Sequence, residues 1–203
     1  MGGAPGREAG PNPADGGLPV SRRALLVIDV QNEYFDGVLP ITDPPTSTSL
    51  PNVTRAMDAA RAAGVPVIVV QHVDHEPDAD GFRAGSHGAE LHPEIAGRPH
   101  DHLVEKALPG SFTGTGLQEI LEADGVDTVA ITGYMTHMCV DTTSRQAAHL
   151  GLAVEILDDA TGTLSLENAG GAATGEELHR ATLVAQGQFF ANVLSTDSWV
   201  ADL

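Results

Sequence analysis

Four short, almost uninterrupted apolar runs constrain this chain more than anything else in it: Ala24–Asp29 (Ala-Leu-Leu-Val-Ile-Asp), Val65–Gln71 (Val-Pro-Val-Ile-Val-Val-Gln), Asp127–Thr132 (Asp-Thr-Val-Ala-Ile-Thr) and Leu152–Leu157. Each has the length of a strand. None shows the strict in–out alternation of a strand with one wet face, so each reads as a strand covered on both sides. Shorter strands are predicted at His102–Lys106 and Ala191–Leu194. Between them lie helical stretches at Val53–Ala63, Thr115–Ala123, His137–Leu150 and Glu176–Gln186, the first three followed by Gly64, Gly125 and Gly151. Glycine just past a helix is a common stop. Strands alternating with helices make a parallel sheet, and right-handed crossovers put helices on both of its faces. The predicted fold is α/β: a three-layer α/β/α sandwich on about six mostly parallel strands.

Asp36–Pro51 reads as loop, and His72–Asp101 as a long polar, irregular segment of the kind that often carries function. Residues 1–20 are rich in Gly, Pro and Ala and are predicted to form a flexible tail, ahead of one domain over 21–203. Lone Cys139 rules out an intrachain disulfide. The formal charge of −18 disfavours phosphate backbones and anionic lipid surfaces and favours a small-molecule substrate, cationic if charged. No leader or bilayer-spanning run is visible, so a cytoplasmic protein is expected.

In open parallel sheets, ligands bind beyond the carboxyl ends of the strands. Asp29, Lys106 and Cys139 fall at three such ends. Cys139 is placed in the first turn of the helix after the fourth strand, where unpaired N–H groups and the helix dipole lower a thiol pKa and stabilise an oxyanion. Lys106 is the one lysine beside nine arginines, which suggests a site that needs a compact charge. Asp29 closes an apolar run, where an ionised carboxylate is costly unless paired. It is suited to act as general base to the thiol. Taken singly, each has a structural alternative: a buried small hydrophobe, a surface lysine, a turn-capping aspartate. Together they make a nucleophile, a base and an orienting cation.

Six of nine histidines lie between His72 and His102. His72, Asp74, His75 and His87 could ligate a metal, but no standard zinc spacing is present, and solvated loop histidines are the favoured reading; neither metal nor cofactor is expected. Walker A, Gly-x-Gly-x-x-Gly and Gly-x-Ser-x-Gly patterns are missing.

Three segments in order and spacing carry a family resemblance: Ala-Leu-Leu-Val-Ile-Asp-Val-Gln-Asn-Glu-Tyr-Phe (24–35), Val-Glu-Lys-Ala-Leu-Pro-Gly-Ser-Phe (104–112) and Thr-Gly-Tyr-Met-Thr-His-Met-Cys-Val-Asp-Thr-Thr (132–143). With them the chain resembles the isochorismatase-like cysteine hydrolases, a superfamily that includes nicotinamidases and N-carbamoylsarcosine amidases. The resemblance implies Asp29, Lys106 and Cys139 as a catalytic triad. It also implies a non-proline cis peptide at Tyr134–Met135, with the Met135 and Cys139 N–H groups as the oxyanion hole. Tyr34, Phe35, His72, Phe112, Tyr134 and His137 are expected to border the pocket, and a homo-oligomer is expected. Gln71-His72-Val73-Asp74-His75 departs from the Asp-x-His order that holds the nicotinamidase metal. Isochorismatase chemistry on a vinyl ether does not call for a cysteine. Gly-Ala-Glu-Leu-His-Pro-Glu (88–94) and the Cys139 segment resemble the streptothricin hydrolase branch, which implies lactam opening. Two readings from other classes stand beside the hydrolase: a thiol redox sensor, which lacks a resolving cysteine here, and a non-catalytic binding module, which should have lost a triad member.

Overall fold

The computed structural model describes residues 22–203, so the tail expected over residues 1–20 lies outside the described residues. In chain order the elements are β1 (Arg23–Ile28), a 3-10 turn (Asn32–Tyr34), α1 (Thr46–Ala63), β2 (Val67–His72), α2 (Pro93–Ala96), β3 (His102–Lys106), α3 (Leu117–Ala123) and β4 (Thr128–Tyr134). A π-helical turn (Thr136–Val140) leads into α4 (Asp141–His149). There follow β5 (Ala153–Gly162), a hairpin of β6 (Leu166–Asn168) and β7 (Gly171–Ala173), α5 (Gly175–Phe189), β8 (Asn192–Leu194) and α6 (Thr196–Ala201). Six strands form one sheet in the order β3-β2-β1-β4-β5-β8, every neighbouring pair parallel.

Strand side chains alternate between two cores, which is why the runs are continuously apolar. Leu25, Val27, Val67, Val69 and Ala130 pack under α1 and α6 with Val53, Met57 and Trp199. Ala24, Leu26, Ile28, Ile68, Val70, Val129 and Ile131 pack under α3 and α4 with Leu117, Leu121, Val140 and Ala147. The three-layer expectation is met.

Some boundaries differ from the sequence reading, and the differences at α1 and β5 have a tertiary cause. α1 begins at Thr46 rather than Val53 and carries Pro51 inside it. Ser49, fully buried, holds that first turn by a 2.8 Å hydrogen bond between its hydroxyl and that of Tyr134. β5 continues past Leu157 to Gly162, where Thr161 and Gly162 pair with the end of β4 across a register shift. The helix expected from His137 is first a wide π-helical turn, and the regular helix starts only at Asp141. The hairpin, α2 and α6 were not predicted. Each is short, and α6 is fixed by Trp199, whose indole N–H donates to Glu155 Oε2 at 2.8 Å. Among the described residues, no helix is long and apolar enough to cross a membrane.

The sheet order reverses direction between β1 and β4, since the chain builds outward through β2 and β3 and then returns to the other side of β1. In open α/β sheets, ligands bind beyond the carboxyl ends of the strands at such a switch point.

Candidate active site

Asp29 follows β1 with a φ of 52°, a left-handed conformation that Asp adopts more readily than most side chains. Alternation would send it to the face opposite Ile28. The positive φ breaks that alternation, while the Asp29 N–H still donates to the Val70 carbonyl at 2.9 Å. Lys106 ends β3, two strands away, on the same face as buried Val104. Its long side chain reaches back across β2. The Lys106 Nζ lies 2.7 Å from Asp29 Oδ2 and 3.3 Å from Cys139 Sγ. Cys139 sits in the π-helical turn after β4 and is buried. The three side chains picked from sequence therefore meet as one cluster.

Burial dominates the electrostatics. It raises the Asp29 carboxyl above its ordinary value, and the Lys106 charge opposes that rise without cancelling it. Burial also pushes the Cys139 thiol up, with the Asp29 charge adding to the effect and Lys106 offsetting part of it. This corrects the expectation that a helix N-terminus lowers the thiol pKa: the desolvation of a closed site and a facing carboxylate outweigh the dipole. Both effects favour the neutral thiol over the thiolate. Among the described residues, none donates a well-directed hydrogen bond to either Asp29 oxygen, and the ammonium contacts Oδ2 as an ion pair, so acceptor capacity remains for the thiol proton.

The other expected pocket residues divide. His72, paired in register with Lys106, places Nδ1 3.4 Å from Lys106 Nζ. Tyr34 is buried between the rings of Phe82 and Tyr134, at centroid distances of 5.1 and 5.5 Å. Its hydroxyl pKa is raised by burial and then by the charges of Cys139 and Asp29, so it senses the triad. Tyr134 is core, with its hydroxyl on Ser49 and its pKa pushed up to about 12 by burial. Phe35 stacks on His92 at 4.2 Å. His137 joins Thr163 through Nδ1 at 2.6 Å, and its buried Nε2 has no hydrogen-bond partner among the described residues. Phe112 lines a cavity of about 500 Å³ with Gln118, Gln146 and Leu150 along α3 and α4 rather than with the triad. The peptide between Tyr134 and Met135 is cis. His75 and His87 go to separate acidic partners, Glu105 and Asp36, at 3.0 and 3.1 Å.

A family profile described as the isochorismatase domain matches residues 23–198, most of the chain. The chain belongs to the isochorismatase family. The crystal structure of an isochorismatase-like protein from Burkholderia xenovorans LB400 superposes with a TM-score of 0.88 and 54% identity, covering 89% of this chain and 86% of that one. Nicotinamidase 3 of Arabidopsis thaliana is 35% identical over 86% of this chain and 85% of its own. A streptothricin hydrolase of Streptomyces noursei is 35% identical over 72% of this chain, which spans about half, 52%, of that protein.

In this isochorismatase-family site, sequence reasoning passed over the polar residues that organise the long loop after β2. The buried Gln31 side chain takes the His72 N–H at 2.8 Å and donates to the His72 and Ala89 carbonyls at 2.7 Å each. Buried Glu33 accepts the Val38 N–H at 2.6 Å and the Phe82 N–H at 3.4 Å. Gly37, Gly81 and Gly88 surround its carboxylate. Phe82, the aromatic this loop plugs against Tyr34 and His72, has a φ of 52°. A lone aromatic in a polar stretch was the available signal. On α5, His179 meets Thr136 of the cysteine turn at 2.9 Å, and buried Gln186 holds Ser144 and Asp141 at 2.8 and 2.6 Å. Nothing local in the sequence pairs α5 with that turn.

Proposed function

We propose that this isochorismatase-family hydrolase cleaves a C–N bond in a small molecule through a Cys139 thioester, with a lactam of the streptothricin kind as its substrate class. The reading is carried by one observation: the ammonium of Lys106 touches both the Asp29 carboxylate and the Cys139 sulfur inside a buried cluster. A base, a thiol and a cation in contact are the parts needed to activate a nucleophile that rests as a neutral thiol.

Asp29 takes the Cys139 proton as Sγ bonds to the carbonyl carbon. The electron pair moves to the carbonyl oxygen, held by the Met135 and Cys139 N–H groups. Collapse breaks the C–N bond, and Asp29 returns the proton to the leaving nitrogen, which stays tethered when the amide is cyclic. Water then attacks the thioester with Asp29 as base, and Sγ leaves and regains its proton. Lys106 keeps Asp29 ionised in a site that would otherwise neutralise it. The lactam preference is supported by the likeness to streptothricin hydrolase and by a net charge of −18, which suits a cationic substrate.

Mass spectrometry tests this. Wild type and Cys139→Ala are incubated with a streptothricin, nicotinamide, N-carbamoylsarcosine and isochorismate. Addition of one water to the lactam by wild type alone is the expected result. Undiminished turnover by folded Cys139→Ala overturns the mechanism, and turnover of another amide alone overturns the substrate class.

A further inference from the structure

The Lys106 ammonium has three protons and no acceptor capacity. Cys139 Sγ at 3.3 Å takes one of them, and Asp29 Oδ2 holds a second side of the ammonium as an ion pair at 2.7 Å. The third direction ends on His72 Nδ1, at 3.4 Å. A ring nitrogen facing an ammonium must be unprotonated, so a neutral His72 carries its proton on Nε2.

We propose that His72 is a positioning residue of this site: a neutral imidazole, protonated on Nε2, whose Nδ1 accepts the third proton of Lys106 and thereby fixes the ammonium between Asp29 and Cys139. Its surroundings are built for that task. Register pairs His72 with Lys106 across β2 and β3. Gln31 clamps both the N–H and the C=O of His72, so the ring cannot shift along the strand. Phe82 packs its ring at 89° to the imidazole, with centroids 5.1 Å apart, limiting rotation about the side chain. The charged groups facing the ring are Lys106 from β3, Asp29 from beyond β1 and Asp74 from beyond β2. Burial and the Lys106 charge hold the His72 pKa below its ordinary value against the pull of the two aspartates. The Nε2–H has no protein acceptor among the described residues, which leaves a donor for a substrate atom.

Protonation of His72 removes the acceptor and sets a second cation beside the ammonium. The site then works only with the ring neutral, and acid reaches it through His72 as well as through Asp29.

The assignment rests on the cysteine-hydrolase reading, yet the ring state is measured without a substrate, so the two fail separately. Histidine labelled with nitrogen-15 gives both ring nitrogens by long-range proton–nitrogen correlation at pH 7, and His72→Gln identifies the His72 signals. The expected state is unprotonated Nδ1 with protonated Nε2. A proton on Nδ1 overturns the proposal. In Lys106→Met the His72 titration midpoint rises, because the opposing ammonium is gone; an unchanged midpoint overturns the coupling. Alkylation of Cys139 by iodoacetamide, followed by intact mass, adds a functional readout. His72→Leu slows it about tenfold, and His72→Gln, whose side-chain oxygen can accept the same proton, stays within about threefold of wild type. Equal rates for Leu and Gln, or the reverse order, mean that His72 only fills space.

Discussion

Lys106 Nζ lies 2.7 Å from Asp29 Oδ2, and both side chains are fully shielded from solvent. A buried pair of this kind is an obligation as much as a stabiliser, because removing one partner strands the other. Lys106→Met leaves Asp29 without its counter-charge, and the variant is expected to lose about 3 kcal/mol at neutral pH. The Asp29 pKa, already raised by burial, rises further without the ammonium. A carboxyl raised in the folded state stabilises the fold below its unfolded value and loses that contribution as pH rises through the folded one. The deficit of Lys106→Met therefore shrinks on acidification. Urea unfolding at pH 5 and pH 8 checks it; equal deficits at both would contradict the pairing.

The Asp29 charge is one cause of the raised Cys139 pKa, second to burial. Asp29→Asn removes that charge and leaves Lys106 in place. Its alkylation profile with iodoacetamide should shift to lower pH, so the thiol becomes more reactive between pH 8 and about pH 10 while turnover disappears. A more reactive yet inactive variant separates the role of base from that of thiolate stabiliser. An unshifted profile would remove Asp29 from contact with the sulfur.

Gly88 faces the buried carboxylate of Glu33 so closely that a Cβ would overlap Oε2. Gly88→Ala is expected to cost about 1–3 kcal/mol and to release the loop that carries Phe82. Thermal unfolding reads the first effect, and proteolysis between residues 74 and 92 reads the second. Gly85→Ala is a weaker comparison for crowding, since nothing lies within 4 Å of its Cβ, although its φ of 74° adds strain of its own.

Trp199 is fully buried against α1, and its indole N–H donates to Glu155, which also pairs with Arg23 at 3.1 Å. Trp199→Ala opens a cavity and orphans part of that carboxylate; a loss of about 3–5 kcal/mol is expected in urea unfolding. Trp199→Phe should fall in between, since it fills most of the volume without the hydrogen bond. A negligible effect of Trp199→Ala would mean that α6 does not cover the sheet in solution.

The architecture was legible in the sequence because a strand covered on both faces must be apolar throughout, and Leu25, Ile68 and Ile131 could not be placed otherwise. The cluster of Asp29, Lys106 and Cys139 was legible because a carboxylate that closes an apolar run, a lone lysine and a lone cysteine each violate the pattern around them. Elements held by partners distant in the chain were not legible. The first turn of α1 depends on Ser49 meeting Tyr134, and the end of β5 depends on pairing with β4.

Sequence by itself thus determined which residues form the strands and which three side chains at their carboxyl ends break the surrounding pattern, since both follow from local pattern and residue type. Tertiary structure alone decided how these groups behave. It gave Asp29 the φ that turns it toward Lys106, and it buried Cys139 deeply enough to raise a thiol that its helix position should have lowered. It also brought His72 Nδ1 to 3.4 Å from the ammonium. Charge states depend on distance and desolvation, and those are set by residues far apart in the chain.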